Sequence, residues 1–254
     1  MEKLSNLLFE LSNEDRLRIL LELEEKAMRL THLSDKLNLI VQETARHLMR
    51  LSNAKLIKRS VNGLYHLTPY GEHSIILLPG FEFLSKNREY FTTHTLSRLP
   101  LEFVIKIGDL KKCTFEDDVM KAFHNLENMI QNAQKYVWLL TNQVLISTQP
   151  LLEKAVKRGV KFRLILPENL TPPQGFKPTP VPKLIRTTKK VNVTIAISEK
   201  RGGVSFPTSE GKIDYWAFLL ADERSHKGCR DLFLHYWERA KPGIPKAFPA
   251  TPYF

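Results

Sequence analysis

Cysteine is nearly absent: the two thiols, Cys113 and Cys229, have no CxxC spacing, so neither a disulfide framework nor a zinc cluster is indicated and both are expected to be buried. Long apolar runs are missing too. The longest purely aliphatic one, Ile75 to Leu78, stops at Pro79 and Gly80, far short of the roughly 20 residues that span a bilayer. Met1 to Arg16 carries Glu2, Glu10, Glu14 and Asp15 and lacks the apolar stretch of a secretory signal, so a cytoplasmic protein is expected. No GxSxG, P-loop, GxGxxG or HExxH run occurs. Acidic residues are in deficit, 27 against 38 Lys and Arg. The resulting charge of +11 favours a polyanionic partner, because cations that neutralise phosphates release condensed counterions. What remains is a 254-residue chain with 43% apolar and 26% charged residues, a globular composition long enough for two domains.

From Asn13, the pattern Leu17, Ile19, Leu20, Leu23 predicts a helix with one apolar stripe, capped by Ser12 or Asn13. A short helix follows over Thr31 to Leu37, with Thr31 as cap and Asn38 as stop. A third is expected from Val41 to Asn53, with Leu48 and Leu51 turned inward and Gln42, Glu43, Arg46 and Arg50 outward. Two helices joined by a tight turn, the second presenting long polar side chains, is the helix-turn-helix plan. Two strand-like runs, Leu56 to Arg59 and Leu64 to Leu67, then flank Ser60-Val61-Asn62-Gly63. Asn-Gly favours a type I′ hairpin turn, and a hairpin in this place is a wing. Thr68-Pro69 starts another helix, with proline at the first helical position. His47 is read as packing on the bundle.

Residues 43–71, which contain Arg46-His47-Leu48-Met49-Arg50-Leu51 and Leu67-Thr68-Pro69-Tyr70-Gly71, resemble winged-helix regulators of the ArsR and MarR type. The resemblance implies major-groove readout by Gln42, Glu43 and Arg46, backbone anchoring by Arg50, Lys58 and Arg59, and minor-groove contact by Asn62 at the wing tip. A solvated helix face would look similar taken alone. Residues 1–71 hold 11 basic and 9 acidic residues, so the charge excess lies elsewhere and DNA affinity is expected to need two copies.

Residues 72–113 are too apolar for a free linker and are read as a helical connector and dimerisation region, packed on a symmetry mate or on the chain's own second domain. Residues 114–240 alternate differently. A helix from Phe115 to Gln134, a strand Tyr136 to Leu140, a helix Pro150 to Lys157 closed by Gly159 and a strand Val160 to Leu166 form a parallel β-α-β unit. Strands are expected at Val191 to Ser198, Gly203 to Phe206 and Tyr215 to Ala221, before a last helix from Gly228 to Arg239. Pro167 to Pro182 holds six prolines, and the tail 241–254 holds four; both are read as extended. The fold class is therefore an α+β winged helix-turn-helix domain followed by an α/β domain.

The run Phe123 to Glu127, Tyr136 to Leu140 and Leu152 to Arg163, with Asp231 to Trp237 near the end, resembles half of a phospholipase-D-like domain. With the winged helix, the chain is similar to archaeal transcriptional regulators of the methanogen filamentation-regulator type, and more distantly to TrmB sugar-responsive regulators. Phospholipase D chemistry requires HxKxxxxD, a histidine nucleophile with a lysine on the phosphoryl oxygens. None of the eight histidines here is followed two positions later by lysine. A non-enzymatic, homodimeric regulator of double-stranded DNA is expected, without cofactor, metal or membrane. A phosphodiesterase or nuclease that docks through the winged helix, and a winged helix serving protein interaction, are the alternatives. The cation-rich turn Lys200-Arg201-Gly202-Gly203 is a candidate cradle for an anionic effector, against the plainer reading of an exposed hairpin. His226, Cys229 and Asp231 are too few ligands for a structural zinc. Lys154 to Lys190 has ten Lys or Arg against Glu168 alone, a second basic surface or a solvated face.

Overall fold

Asn13 opens the first core helix, its side chain accepting the Arg16 amide at 3.0 Å, a capping bond that satisfies one of the four amide donors a helix start leaves without an intrahelical partner. The computed structural model, which describes residues 1–176 and 184–248, divides into two units, Met1–Phe81 and Glu82–Phe254. The first contains α1 (Glu2–Leu11), α2 (Glu14–Glu25), α3 (Leu30–Leu37), α4 (Val41–Asn53), β1 (Ile57–Arg59), β2 (Tyr65–Leu67) and α5 (Pro69–Ile76). Ile19, Leu20, Leu33, Leu48, Leu51 and Leu56 are its fully buried centre.

α4 occupies the expected residues, and Thr44, Leu48 and Leu51 are its buried stripe. α1 was not expected. α3 starts one residue earlier than its sequence suggests, with Arg29 at the cap position and no capping side chain, so Thr31 lies inside the first turn. Asn38 ends α3 at φ 54°, a left-handed position that Asn tolerates better than most residues.

The wing differs from the predicted type I′ turn. Ser60 accepts the Gly63 amide at 3.0 Å and donates its own to Leu64 at 2.8 Å. Gly63 alone of the loop has positive φ, +83°. This is a three-residue loop ending in a left-handed glycine. The backbone of Tyr65 also pairs with Met28, at 2.8 and 3.0 Å, so the wing is tied to the segment between α2 and α3. At its base, Thr68 Oγ1 accepts the Gly71 amide at 3.0 Å and donates to Lys55 O at 2.6 Å, which joins the start of α5 to the start of β1.

The second unit is an eight-stranded mixed sheet with helices on both faces. Its strands are β3 (Thr114–Glu116), β4 (Tyr136–Leu140), β5 (Lys161–Pro167), β6 (Ile185–Thr188), β7 (Thr194–Ser198), β8 (Gly202–Ser205), β9 (Ala217–Leu219) and β10 (Lys241–Pro242), in the order β10-β6-β5-β4-β7-β8-β9-β3. Its main helices are α9 (Val119–Asn132), α10 (Gln149–Lys157) and α11 (Glu223–Arg239); the short helices α6 (Leu78–Lys86), α7 (Arg88–Thr93) and α8 (Leu101–Ile105) precede the sheet. β4 and β5 pair in parallel, with Trp138 opposite Arg163, whereas β7, β8 and β9 run antiparallel. Alternation sorts the side chains. Val137, Leu139 and Phe162 pack with Met129 and Ile130 of α9, while Leu140, Ile165 and Ile197 pack with Phe233 and Trp237 of α11.

Several boundaries move. Phe115 belongs to β3, and α9 begins only after Asp118, whose carboxylate accepts the Met120 and Lys121 amides. α11 begins five residues before Gly228, at a capping box between Asp222 and Ser225. β6 was not expected. Residues 72–113 form no unit of their own: Ile75 is buried in the first core, and Phe83, Tyr90, Leu99 and Ile107 are buried in the second. The tail 241–254 begins as an edge strand on β6 and buries Phe248. Residues 249–254, and 177–183 of the proline-rich segment, lie outside the described residues.

Candidate nucleic-acid interface

The buried stripe of α4 fixes which of its residues meet solvent. Gln42, Glu43, Arg46 and Arg50 are exposed, and so are Lys58, Arg59 and Asn62 of the hairpin. Gln42 and Arg46 have no hydrogen bond or ion pair among the described residues. Arg59 lies over the Tyr65 ring, 5.7 Å from its centroid, which holds its long stem along the wing. The Asn62 side chain accepts a hydrogen bond from Ser60 Oγ.

Arg50 stands apart from this set. Its Nη2 lies 2.6 Å from Glu10 Oε1, and its guanidinium lies over Phe9 at 5.2 Å. Glu10 also pairs with the buried Arg16 at 3.1 Å. The hydrogen bond from Arg50 holds the Glu10 carboxyl below its ordinary value, with the charges of Arg16 and Arg50 adding to the effect against burial. A carboxylate whose folded value is depressed contributes stability above the ordinary glutamate range and loses it as pH falls through the folded value. The bond therefore holds Arg50 at neutral pH. Glu10→Gln should release Arg50 and remove a negative charge beside it; if this face binds DNA, affinity should rise several-fold and the salt dependence should steepen by about one phosphate contact per chain. Fluorescence anisotropy across a salt series measures this; unchanged or weaker binding would show that Arg50 serves the fold.

Sequence reasoning missed the apolar part of the surface. Ile40 and Val41, at the start of α4, are 70% and 50% exposed, and Val61 at the wing tip is fully exposed. Their signal was position: apolar residues at the start of a helix that follows a tight turn, and at a hairpin tip, cannot reach a core.

His47 is nearly enclosed, 3.9 Å from Asp15 and 4.0 Å from Glu43, and both ring nitrogens are buried without a hydrogen-bond partner. It thus packs on the bundle as expected. These three residues could bring ligand atoms within 4.8 Å of one another, one short of the four that a structural zinc takes.

In the second unit, Lys200 and Arg201 sit in the turn between β7 and β8. Their amides both donate to Ser198 Oγ, at 3.4 and 3.1 Å, so these backbone donors are already engaged. Arg201, Gly202 and Gly203 line a cavity, and Lys200 does not. Cys113 and Cys229 are buried free thiols; burial pushes Cys113 up to about 11 and Cys229 higher still, which makes them inert at neutral pH.

No protein-family model matches this chain, and no curated protein does. Among solved structures it overlaps the archaeal chromatin protein TrmBL2, described as showing a novel mode of DNA binding, at 15% identity and a TM-score of 0.41 over 91% of this chain and 94% of that one. NucT from Helicobacter pylori overlaps at 14% identity and 0.39, over 52% of this chain and 98% of the other. T. acidophilum IdeR overlaps at 16% and 0.23, over 85% and 95%. Overlaps this loose carry no argument, so the functional reading rests on the chain's own geometry.

Proposed function

We propose that this chain is a sequence-specific DNA-binding transcriptional regulator, acting as a homodimer in the cytoplasm, whose α/β unit senses a small molecule. The observation that carries the reading is the unpartnered, exposed pair Gln42 and Arg46 on the outer face of α4, with the basic wing residues Lys58 and Arg59 in the same unit. Gln can address adenine and Arg guanine in two hydrogen bonds each, Lys58 and Arg59 suit phosphate, and Ile40 and Val41 suit thymine methyl groups. Exposed Leu4, Leu8 and Phe9 of α1, with Ile76, Leu77 and Phe81 at the end of the unit, are surface that a second copy would cover.

Selection of bound duplexes from a random pool tests it. A two-fold-related motif should emerge, bound by a dimer in sedimentation. Absence of any enriched sequence, together with affinity that ignores salt, would overturn the reading and favour a protein-interaction role. The α/β unit is proposed as non-catalytic because the histidine–lysine pair of phosphodiester hydrolysis is missing. Metal-independent turnover of bis(p-nitrophenyl) phosphate by the full chain would instead support the phosphodiesterase alternative.

A further inference from the structure

On the sheet face that packs against α9, Ala196 of β7 lies in register with Gly203 of β8. Gly203 has no side chain, and its register partner on β9 is Leu219, whose Cδ2 would lie 3.6 Å from an added Cβ, with Cβ of Ala217 at 4.0 Å, so the two adjacent strands β7 and β8 carry almost no side chain at this point. The floor is therefore low where α9 passes over it. Phe123, Leu126 and Met129 of α9 close the other side, leaving a cavity of about 350 Å³. Interiors hold few voids larger than a water molecule, and ligand pockets begin at roughly 300 Å³.

Polar residues interrupt the apolar lining, Arg201, Gln143 and Tyr215 among them; Arg201 is exposed and has no carboxylate partner among the described residues. Tyr215 adopts φ +67°, a conformation costing a non-glycine residue about 1–2 kcal/mol. Its hydroxyl donates to Asn142 Oδ1, and the preceding Asp214 is held 2.8 Å from Nε2 of the buried His94. Fixed strain of this kind in a pocket lining is how ligand clamps are held in shape. Burial pushes the Tyr215 hydroxyl up to about 12, so it stays protonated at neutral pH.

We infer that this cavity binds a small amphiphilic carboxylate, its apolar body beneath α9 and its charged head at Arg201. The inference deepens the sensing role proposed for the α/β unit and rests on it. A cavity of about 150 Å³ accommodates benzene, so the present one takes a body of about a dozen carbons. Hydroxyls of a polyhydroxylated ligand would go unpaired against Phe123, Leu126 and Met129, whereas Thr141, Thr194 and Ser205 also line the cavity, so a sugar is the comparison that decides.

The experiment is titration calorimetry of the full chain with decanoate, with maltose and nonan-1-ol as comparisons and DNA affinity measured alongside. Decanoate should bind one to one. Arg201→Ala should weaken decanoate at least tenfold while leaving nonan-1-ol unchanged. Ala196→Phe and, independently, Leu126→Trp should abolish both by filling the void; the surface substitution at Arg201 keeps the test decisive should either filled variant fail to fold. No binding of decanoate at millimolar concentration, indifference to Arg201→Ala, or tighter binding of maltose would overturn the inference, with the DNA reading left standing if duplex affinity is intact. Decanoate binding that obeys Arg201 but leaves DNA affinity unmoved would support the site and overturn the sensing role.

Discussion

Replacing Gln42 and Arg46 together by alanine is expected to weaken binding to the selected duplex about a hundredfold or more, with far smaller loss on unrelated DNA. On the proposed reading each residue would bond a base edge twice, worth roughly 1–3 kcal/mol of discrimination, and a dimer would lose the contact at both half-sites. Lys58→Ala should behave differently. A phosphate contact carries no sequence information, so affinity should fall on every duplex alike and the salt slope should drop by about 1 per protomer. Both variants should keep the melting temperature of the parent, because Gln42, Arg46 and Lys58 are all exposed and none is bonded among the described residues. Binding that survives the double substitution would remove α4 from the groove and, with it, the central claim. The contrast with Lys58 matters because a merely basic surface would make the two variants indistinguishable.

The bounds of α4 were readable because what fixes them is local: Asn38 stops the preceding helix, and Leu48 and Leu51 fall at helical spacing on one face. The cap at Thr68 and the proline after it were readable for the same reason. The parallel pairing of β4 with β5 followed from the intervening helix and Gly159. What was lost depended on partners distant in sequence. The ion pair of Arg50 with Glu10 was hidden because it depends on α1, a helix with no capping side chain that the sequence did not announce. β3 and β6 are short strands of three and four residues, named only by their neighbours β9 and β5. The cavity is the extreme case. Ala196 is unremarkable in the sequence and makes a floor with Gly203 only in the register that β7 and β8 adopt, whereas Arg201, Gly202 and Gly203 could be singled out by charge and glycine content alone.

Gly71→Ala is expected to destabilise the first unit by about 3 kcal/mol, an overpacking loss at the upper end of the usual range. A Cβ there would lie 2.0 Å from the carbonyl oxygen of Leu56 and 3.0 Å from its carbon, and backbone cannot step aside as a flexible side chain could. That same carbonyl accepts the Thr68 amide at 3.0 Å, so moving it loosens the joint between the wing and α5. For a unit of this size the melting transition should fall by more than about 10 °C. Duplex affinity should fall too, even below that transition, because the wing loses its anchor. Gly159→Ala separates this steric cost from a torsional one. Gly159 has φ +87° but nothing within 4 Å of an added Cβ, so alanine there should cost only about 1 kcal/mol and should leave DNA binding untouched. Circular dichroism melts of the two variants decide it: equal losses would mean that the approach of Gly71 to Leu56 is not what fixes the wing.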